Sequence, residues 1–137
     1  MQYLIATHSN MASGLKDAIR LLYGNTDNIH VITAYVNSDD FEKEFLAELD
    51  TIEDDKIIVL TELLAGSVNQ TVMKYRGEKK IELISGVNLA LVLRILYLDQ
   101  QQDIPEQIRQ YVEHSREQII YVNKLLNQSM KGEENGI

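Results

Sequence analysis

Two short segments carry the residues whose chemistry stands out in this sequence. The first runs from Thr7 to Asn10 and contains His8, one of three histidines, and the second runs from Thr61 to Ser67 and contains Glu62. A carboxylate that accepts the Nδ1 proton of an imidazole fixes the ring tautomer and leaves the Nε2 lone pair free as a nucleophile, base or metal ligand. If the two segments meet in the fold, Glu62 can orient His8 in this way.

A candidate anion site follows Glu62 along the chain. Gly66 permits close approach of the backbone, and Ser67 and Gln70 have the spacing of a capping box at the start of a helix. Free N–H groups at a helix start attract anions, phosphate included. These residues together predict a histidine that carries a phosphoryl group, with Gly66 and Ser67 beside it. The competing interpretations are a simple helix cap for Ser67 and structural or surface roles for His8 and Glu62.

The elements that position these residues follow from the hydrophobic pattern. Four mostly continuous apolar runs predict strands buried on both faces, at residues 3–6, 29–36, 56–61 and 81–85. Amphipathic segments predict helices near residues 11–22, which Gly24 ends, then 40–49, a helix that starts near Ser67, and 89–98. Pro105 opens a last helix over about 106–130. His30 and His114 lie within a predicted strand and helix, where they are structural or solvated.

The order of these elements predicts an α/β fold, an open doubly wound sheet with right-handed crossovers. Sites in such sheets lie beyond the carboxyl ends of the strands, where both segments fall. The length of 137 residues suits one compact domain over residues 1–130, followed by a polar, fraying tail at 131–137.

Composition narrows the class of partner and site. The formal net charge of −8 disfavours nucleic acid or an anionic membrane surface and favours a partner with a basic patch. The chain has no cysteine, so disulfides and thiolate metal sites are excluded, and a reducing cytoplasm fits. One histidine and one carboxylate are too few ligands for a metal hydrolase. We expect no signal peptide and no membrane span.

Three motifs resemble one known family. They are THSNMASGLKDAIRLLYG, VLTELLAGSVNQ and LISGVNLALVLRIL, which occur in this order. Together they resemble the mannose-family enzyme IIA domains of the bacterial phosphoenolpyruvate-dependent sugar phosphotransferase system (PTS). The likeness extends over roughly residues 1–98, and the final helix is compatible with it.

The resemblance implies a cytoplasmic phosphohistidine carrier. His8 matches the histidine that takes a phosphoryl group from the phosphocarrier HPr and passes it to a histidine of enzyme IIB during sugar uptake. Glu62 stands where the family has an aspartate that orients the ring, and Gly66 and Ser67 match the pair that holds the phosphate. The resemblance also implies the sheet order 2-1-3-4, a homodimer, no metal or organic cofactor, and membrane contact only through the transporter complex.

Two departures from the family pattern keep other functions open. Glu62 is one methylene longer than aspartate, and A-G-S-V-N-Q replaces G-G-S-P-F-N, so that Val68 stands in place of proline. One alternative is a diverged regulatory or interaction module without catalysis. The other is a phosphoryl donor for a dihydroxyacetone kinase, since a related family with that role also has a T/S-H-S segment after strand 1.

Two apolar sets have uses that the sequence leaves open. Met11, Leu63 and Leu64 either form a docking surface beside His8 or pack in the core. In the last predicted helix a heptad-like series either docks on the sheet or contacts another chain. Its members are Ile108, Val112, Ser115, Ile119, Val122 and Leu126.

Overall fold

The computed structural model describes residues 1–77 and 80–134. The strands are β1 (Gln2–His8), β2 (Ile29–Ala34), β3 (Lys56–Thr61) and β4 (Lys80–Ser85). The helices are α1 (Met11–Leu22), α2 (Phe41–Thr51), α3 (Ser67–Lys74), α4 (Leu89–Ile95), α5 (Ile104–Arg116) and α6 (Val122–Glu134). Among these elements, no helix is long and apolar enough to cross a lipid bilayer.

The four strands form one parallel sheet in the order β2-β1-β3-β4. This confirms the predicted α/β class and the order 2-1-3-4. The pairing register sets Ala6 opposite Thr61 and His8 opposite Ala34. The loops that leave β1 and β3 therefore start side by side at one edge of the sheet.

The sheet is buried because its two central strands are apolar on both faces. Alternate residues of β1 and β3 contribute to two hydrophobic clusters, one on each side. Ile5 and Leu60 belong to the cluster covered by α1, α4 and α5, whereas Leu4 and Val59 belong to the one covered by α2 and α3. Each fully buried Leu or Ile contributes about 1.5–3 kcal/mol relative to an exposed one, so this core fixes the strand ends firmly.

The prediction of one last helix over about 106–130 is wrong. The chain leaves α5 after Arg116, and the Gln118 and Ile119 amides bond to carbonyls three residues back, which tightens the last turn. The next residues, Ile119-Ile120-Tyr121, are β-branched or aromatic and favour a helix weakly. α6 then begins at Val122 and runs to Glu134, so residues 131–134 of the expected tail are helical, and residues 135–137 lie outside the described range.

The heptad-like series divides at this break. Ile108 and Val112 pack against the core cluster and Ser115 is buried, as docking predicts. Ile119, Val122 and Leu126 are exposed. Packing against the core therefore explains only the members of the series that lie in α5.

Candidate functional site

His8 is the last residue of β1, and the chain turns away directly after it. Ser9 has φ 56°, a left-handed conformation that is uncommon for residues other than glycine, and its amide donates to the Ala34 carbonyl at 2.9 Å. The buried Thr7 hydroxyl accepts from the Ala12 amide at 2.8 Å, which ties the start of α1 to the strand. The His8 side chain, 41% exposed, stands at the sheet edge.

Glu62 holds His8 through both carboxylate oxygens. Oε1 lies 2.7 Å from the imidazole Nδ1, and Oε2 accepts the backbone N–H of His8 at 2.6 Å. The Glu62 side chain is only 12% exposed, so these contacts are largely shielded from water. With the carboxylate ionised, Nδ1 carries the proton and Nε2 of the neutral ring keeps its lone pair. The glutamate, although longer than aspartate, reaches both groups at once.

Ser67 does not cap α3 as the capping-box pattern predicts. The N-cap residue is Gly66, in an extended conformation, and Ser67 is the first helical residue, with no side-chain cap bond at this helix end. The Ser67 hydroxyl instead lies 3.4 Å from Nε2 of His8 and 2.7 Å from the Tyr35 hydroxyl. The capping box is therefore wrong, because the turn begins the helix one residue earlier and frees Ser67 to face the imidazole.

Gly66 brings the loop close to the imidazole. A Cβ built at this position would lie 3.2 Å from the Leu63 Cβ and carbonyl oxygen and 3.5 Å from Cε1 of His8. Its amide donates to the Leu63 carbonyl at 3.1 Å, so this N–H is engaged within the turn. The turn uses that donor, and the amides of the first helical positions, Ser67 and Val68, lack an intrahelical acceptor.

Asn69 fixes the same loop from inside, and the sequence analysis missed it. Its side chain is buried, accepts from the Thr61 hydroxyl at 2.7 Å, and donates to the Leu64 carbonyl at 2.9 Å. The bond joins the end of β3 to the first turn of α3. A polar residue among the buried positions of a short amphipathic helix was the available signal.

Tyr35 is a second residue that the sequence analysis missed. The predicted second strand extended to residue 36, but β2 ends at Ala34 and Tyr35 follows it with φ 67°. Its ring centroid lies 5.3 Å from that of His8, with the planes tilted by 36°. Because β2 pairs with β1, a residue at its carboxyl end was a candidate for the site, but the apolar run concealed where the strand stopped.

The three apolar residues considered for docking lie on the segments that carry the site. Met11, Leu63 and Leu64 are 43%, 59% and 74% exposed, respectively. Core packing therefore does not explain them. Their side chains are available for contact with another molecule.

The other two histidines lie outside the site. His30, in β2, contacts Glu48 through Nδ1 at 3.1 Å and Gln2 through Nε2 at 2.9 Å. His114, in α5, pairs with Arg94. In the described part of the chain, no group of three His, Cys, Asp or Glu residues is arranged to hold a metal ion.

Comparison with known proteins gives one family match and several similar structures. The family model described as "PTS system fructose IIA component" (EIIA-man) matches residues 2–112. A phosphoenolpyruvate-dependent sugar phosphotransferase system permease from Klebsiella pneumoniae is 27% identical, with 91% of this chain and 93% of that chain covered and a TM-score of 0.81.

Two streptococcal structures share the fold at lower identity. The phosphotransferase system component EIIA from Streptococcus agalactiae is 23% identical over 90% of this chain and 98% of its own, with a TM-score of 0.77. The PTS IIA protein associated with the fucose utilization operon of Streptococcus pneumoniae is 23% identical over 91% of this chain and 95% of its own, with a TM-score of 0.75.

Proposed function

Because the chain belongs to the EIIA-man family of PTS IIA components, we propose that it is a phosphohistidine carrier. His8 accepts a phosphoryl group from phospho-HPr and passes it to a histidine of the cognate enzyme IIB. The observation that carries this proposal is the double contact between Glu62 and His8, at 2.7 Å on Nδ1 and 2.6 Å on the backbone N–H. It leaves Nε2 as the acceptor atom on an exposed edge.

In the proposed step, the Nε2 lone pair attacks the phosphorus of phospho-HPr in line. The bond from phosphorus to Nε2 forms as the bond from phosphorus to the donor nitrogen breaks, and that electron pair returns to the donor imidazole. The Nδ1 proton stays between His8 and Glu62, whose carboxylate offsets the positive charge that develops on the ring. Positioning and electrostatics supply most of the catalysis in such transfers.

The phosphoryl oxygens are stabilised at the start of α3. Ser67 supplies a hydroxyl 3.4 Å from Nε2, and Ser67 is also the first residue of α3, where the unpaired amides of a helix N-terminus favour an anion. Gly66 contributes by its lack of a side chain, which lets the loop approach the ring.

Two successive protein partners require an open site, and the surface around His8 has that character. The ring is partly exposed, and Met11, Leu63 and Leu64 provide apolar contact area beside it. The net charge of −8 favours partners with a basic face. The absence of cysteine fits a cytoplasmic carrier.

The direct test is reconstitution of the relay. The protein is mixed with enzyme I, HPr and phosphoenolpyruvate, and we expect an acid-labile mass gain of one phosphoryl group, mapped by peptide to His8. Purified enzyme IIB of a mannose-family system and the phosphoryl-accepting subunit of a dihydroxyacetone kinase are then offered as acceptors. If the phosphoryl group passes only to the kinase subunit, the role in sugar uptake would be replaced by a role in kinase phosphorylation. If the protein is not labelled at all, whether or not the acceptor proteins are present, the carrier role would be excluded.

We also propose that the carrier is a homodimer. Apolar side chains are exposed at the end of α1 and around α6, among them Leu21, Leu22, Ile119 and Leu125. Such residues are common at the contacts between subunits. Sedimentation equilibrium at micromolar concentration is expected to give twice the mass of 15.7 kDa, and a monomer throughout that range would contradict the proposal.

Gly66→Ala is expected to slow transfer from phospho-HPr about tenfold, because small displacements of groups at a reacting centre are costly. The new Cβ must displace the Leu63 carbonyl and move Ser67 relative to the imidazole. The matched control is Gly14→Ala, where an added Cβ on α1 meets nothing within 4 Å. Initial transfer rates and thermal melts of both variants test this. We expect the control to keep the wild-type rate and gain about 1 kcal/mol, and equal rates for both variants would exclude a close-approach role for Gly66.

A further inference from the structure

Three side chains form a hydrogen-bonded series that ends at the reactive nitrogen of His8. The Tyr35 hydroxyl lies 2.7 Å from the Ser67 hydroxyl, which lies 3.4 Å from Nε2. The Tyr35 ring also lies beside the imidazole, with the two ring centroids 5.3 Å apart. Tyr35 thus contacts both the Ser67 side chain and the imidazole of His8, to which the phosphoryl group would be attached. It has no part in the mechanism described above.

The direction of this series follows from Glu62. Because the carboxylate holds the proton on Nδ1, Nε2 can only accept a hydrogen bond, so the Ser67 hydroxyl is the donor to it. The oxygen of that hydroxyl is then free to accept the proton of Tyr35, and the phenol is the more acidic of the two hydroxyls. When His8 is phosphorylated, the lone pair of Nε2 is occupied, and the Ser67 proton becomes available to a phosphoryl oxygen.

We propose that Tyr35 is a positioning residue for phosphoryl transfer: it occupies the acceptor side of the Ser67 hydroxyl and thereby keeps the Ser67 proton directed at the group on Nε2. This inference rests on the proposed carrier function. Without the Tyr35 hydroxyl, Ser67 can rotate about its χ1 angle toward solvent. The donor is then oriented only in a fraction of the molecules.

The backbone supports a role in the site for Tyr35. It holds φ 67°, a conformation in which a bulky aromatic residue is a real outlier. The turn occurs directly after Ala34, the residue paired with His8, and it carries the ring back over the imidazole instead of continuing the strand. Outliers of this kind persist where the surroundings hold them and concentrate at functional sites.

The test compares Tyr35→Phe, Ser67→Ala and the double variant in transfer from phospho-HPr. Phenylalanine keeps the ring and removes only the hydroxyl. We expect Tyr35→Phe to reduce the rate constant about three- to tenfold, which is the effect of losing one hydrogen bond in the transition state. The concentration of phospho-HPr that gives half-saturation should not change. Since Tyr35 acts through Ser67, the double variant is expected to be no slower than Ser67→Ala alone.

A spectroscopic readout separates positioning from a general structural effect. In ¹⁵N spectra of the imidazole at a pH where the ring is neutral, loss of the donor to Nε2 is expected to move its signal downfield in both single variants. The Nδ1 signal, held by Glu62, is expected to stay in place. Tyr97→Phe, in the turn that follows α4 and packed edge-on against Tyr23, is the control and should change neither the rate nor the spectrum.

The outcomes distinguish this inference from the proposed function. A wild-type protein that is labelled on His8, together with a Tyr35→Phe variant of unchanged rate and spectrum, would overturn the role of Tyr35 alone. A double variant slowed by the product of the two single effects would show that Tyr35 does not act through Ser67, and it would also overturn the inference. A wild-type protein without labelling would overturn the carrier function, and the ¹⁵N shifts would still decide whether the series exists.

Discussion

His8→Gln is expected to abolish phosphoryl labelling, with a rate reduced more than about a thousandfold, as removal of a nucleophile does. Glutamine has no lone-pair nitrogen that can attack phosphorus, and its amide can still donate to Glu62 in place of Nδ1. The side chain lies at the sheet edge and is partly exposed, so the fold should persist. The measurement is incorporation of ³²P from labelled phosphoenolpyruvate through enzyme I and HPr.

The matched control for this substitution is His30→Gln. His30 also has a carboxylate on Nδ1, from Glu48, but it lies within β2 and its Nε2 contacts Gln2. We expect this variant to be labelled as the wild type is. Full labelling of His8→Gln would end the proposed mechanism, and loss of labelling in the His30 variant alone would move the acceptor to that residue.

Glu62→Gln is expected to slow transfer roughly 10- to 100-fold, by analogy with the loss seen when a carboxylate that orients a metal-bound histidine is replaced. Both Glu62 oxygens accept hydrogen bonds from His8. An amide can satisfy only one of these donors, and its NH₂ group then faces the other. The neutral amide also cannot offset the charge that forms on the ring.

The same substitution is expected to lower the free energy of unfolding by about 1–3 kcal/mol, the cost of a shielded donor left without its acceptor. Urea unfolding measures this term, and rapid-quench labelling measures the transfer rate. Glu62→Asp keeps the charge but shortens the side chain by one methylene on this backbone. We expect it to hold one of the two donors, so its rate should fall between those of Glu62→Gln and the wild type.

Glu48→Gln provides the comparison within the same molecule, because it alters a second histidine–carboxylate pair remote from the transfer chemistry. We expect it to leave the transfer rate unchanged. If Glu62→Gln transfers as fast as Glu48→Gln, Glu62 has no part in catalysis. The interaction-module alternative, which Val68 in place of proline and Ala65 in place of a second glycine favour, would then regain weight.

The meeting of His8 and Glu62 could be predicted because it depends on where two strands end and on whether they are neighbours. Continuous apolar runs marked β1 and β3 as buried parallel strands, and the carboxyl ends of neighbouring parallel strands lie together. The family resemblance supplied the adjacency. The side-chain types then determined the contact, and the extra methylene of Glu62 was absorbed without losing either hydrogen bond.

The parts that could not be predicted depend on single turns. Tyr35 continues the apolar pattern of β2, and nothing in that pattern marks the left-handed turn after Ala34. Whether Gly66 or Ser67 caps α3 is a difference of one residue, which decides whether the serine faces its own helix or the imidazole. The spacing of residues along the chain is the same whichever residue caps the helix. The hydrogen bond between Tyr35 and Ser67 is consistent with the serine facing the imidazole.

The separation of α5 from α6 has a related cause. The heptad-like spacing runs without interruption through residues 108–126, so periodicity favoured one helix. Packing against the core extends only as far as Ser115, and the residues beyond it are exposed. The helix stops at Ile119-Ile120-Tyr121, whose β-branched and aromatic side chains favour a helix weakly. This is also where contacts with the core have ended, and the extent of those contacts is a property of the assembled fold.

The grip of Glu62 on both the ring and the backbone amide of the same histidine has a consequence for the course of transfer. An imidazole fastened to its own main chain presents Nε2 in one pose, whether the incoming protein gives or takes the group. If the proposed carrier function holds, no rearrangement of the site is then needed between loading and unloading. The direction of net transfer would follow the phosphoryl-transfer potentials and the concentrations of donor and acceptor, so the group could return to the donor when the acceptor is already loaded.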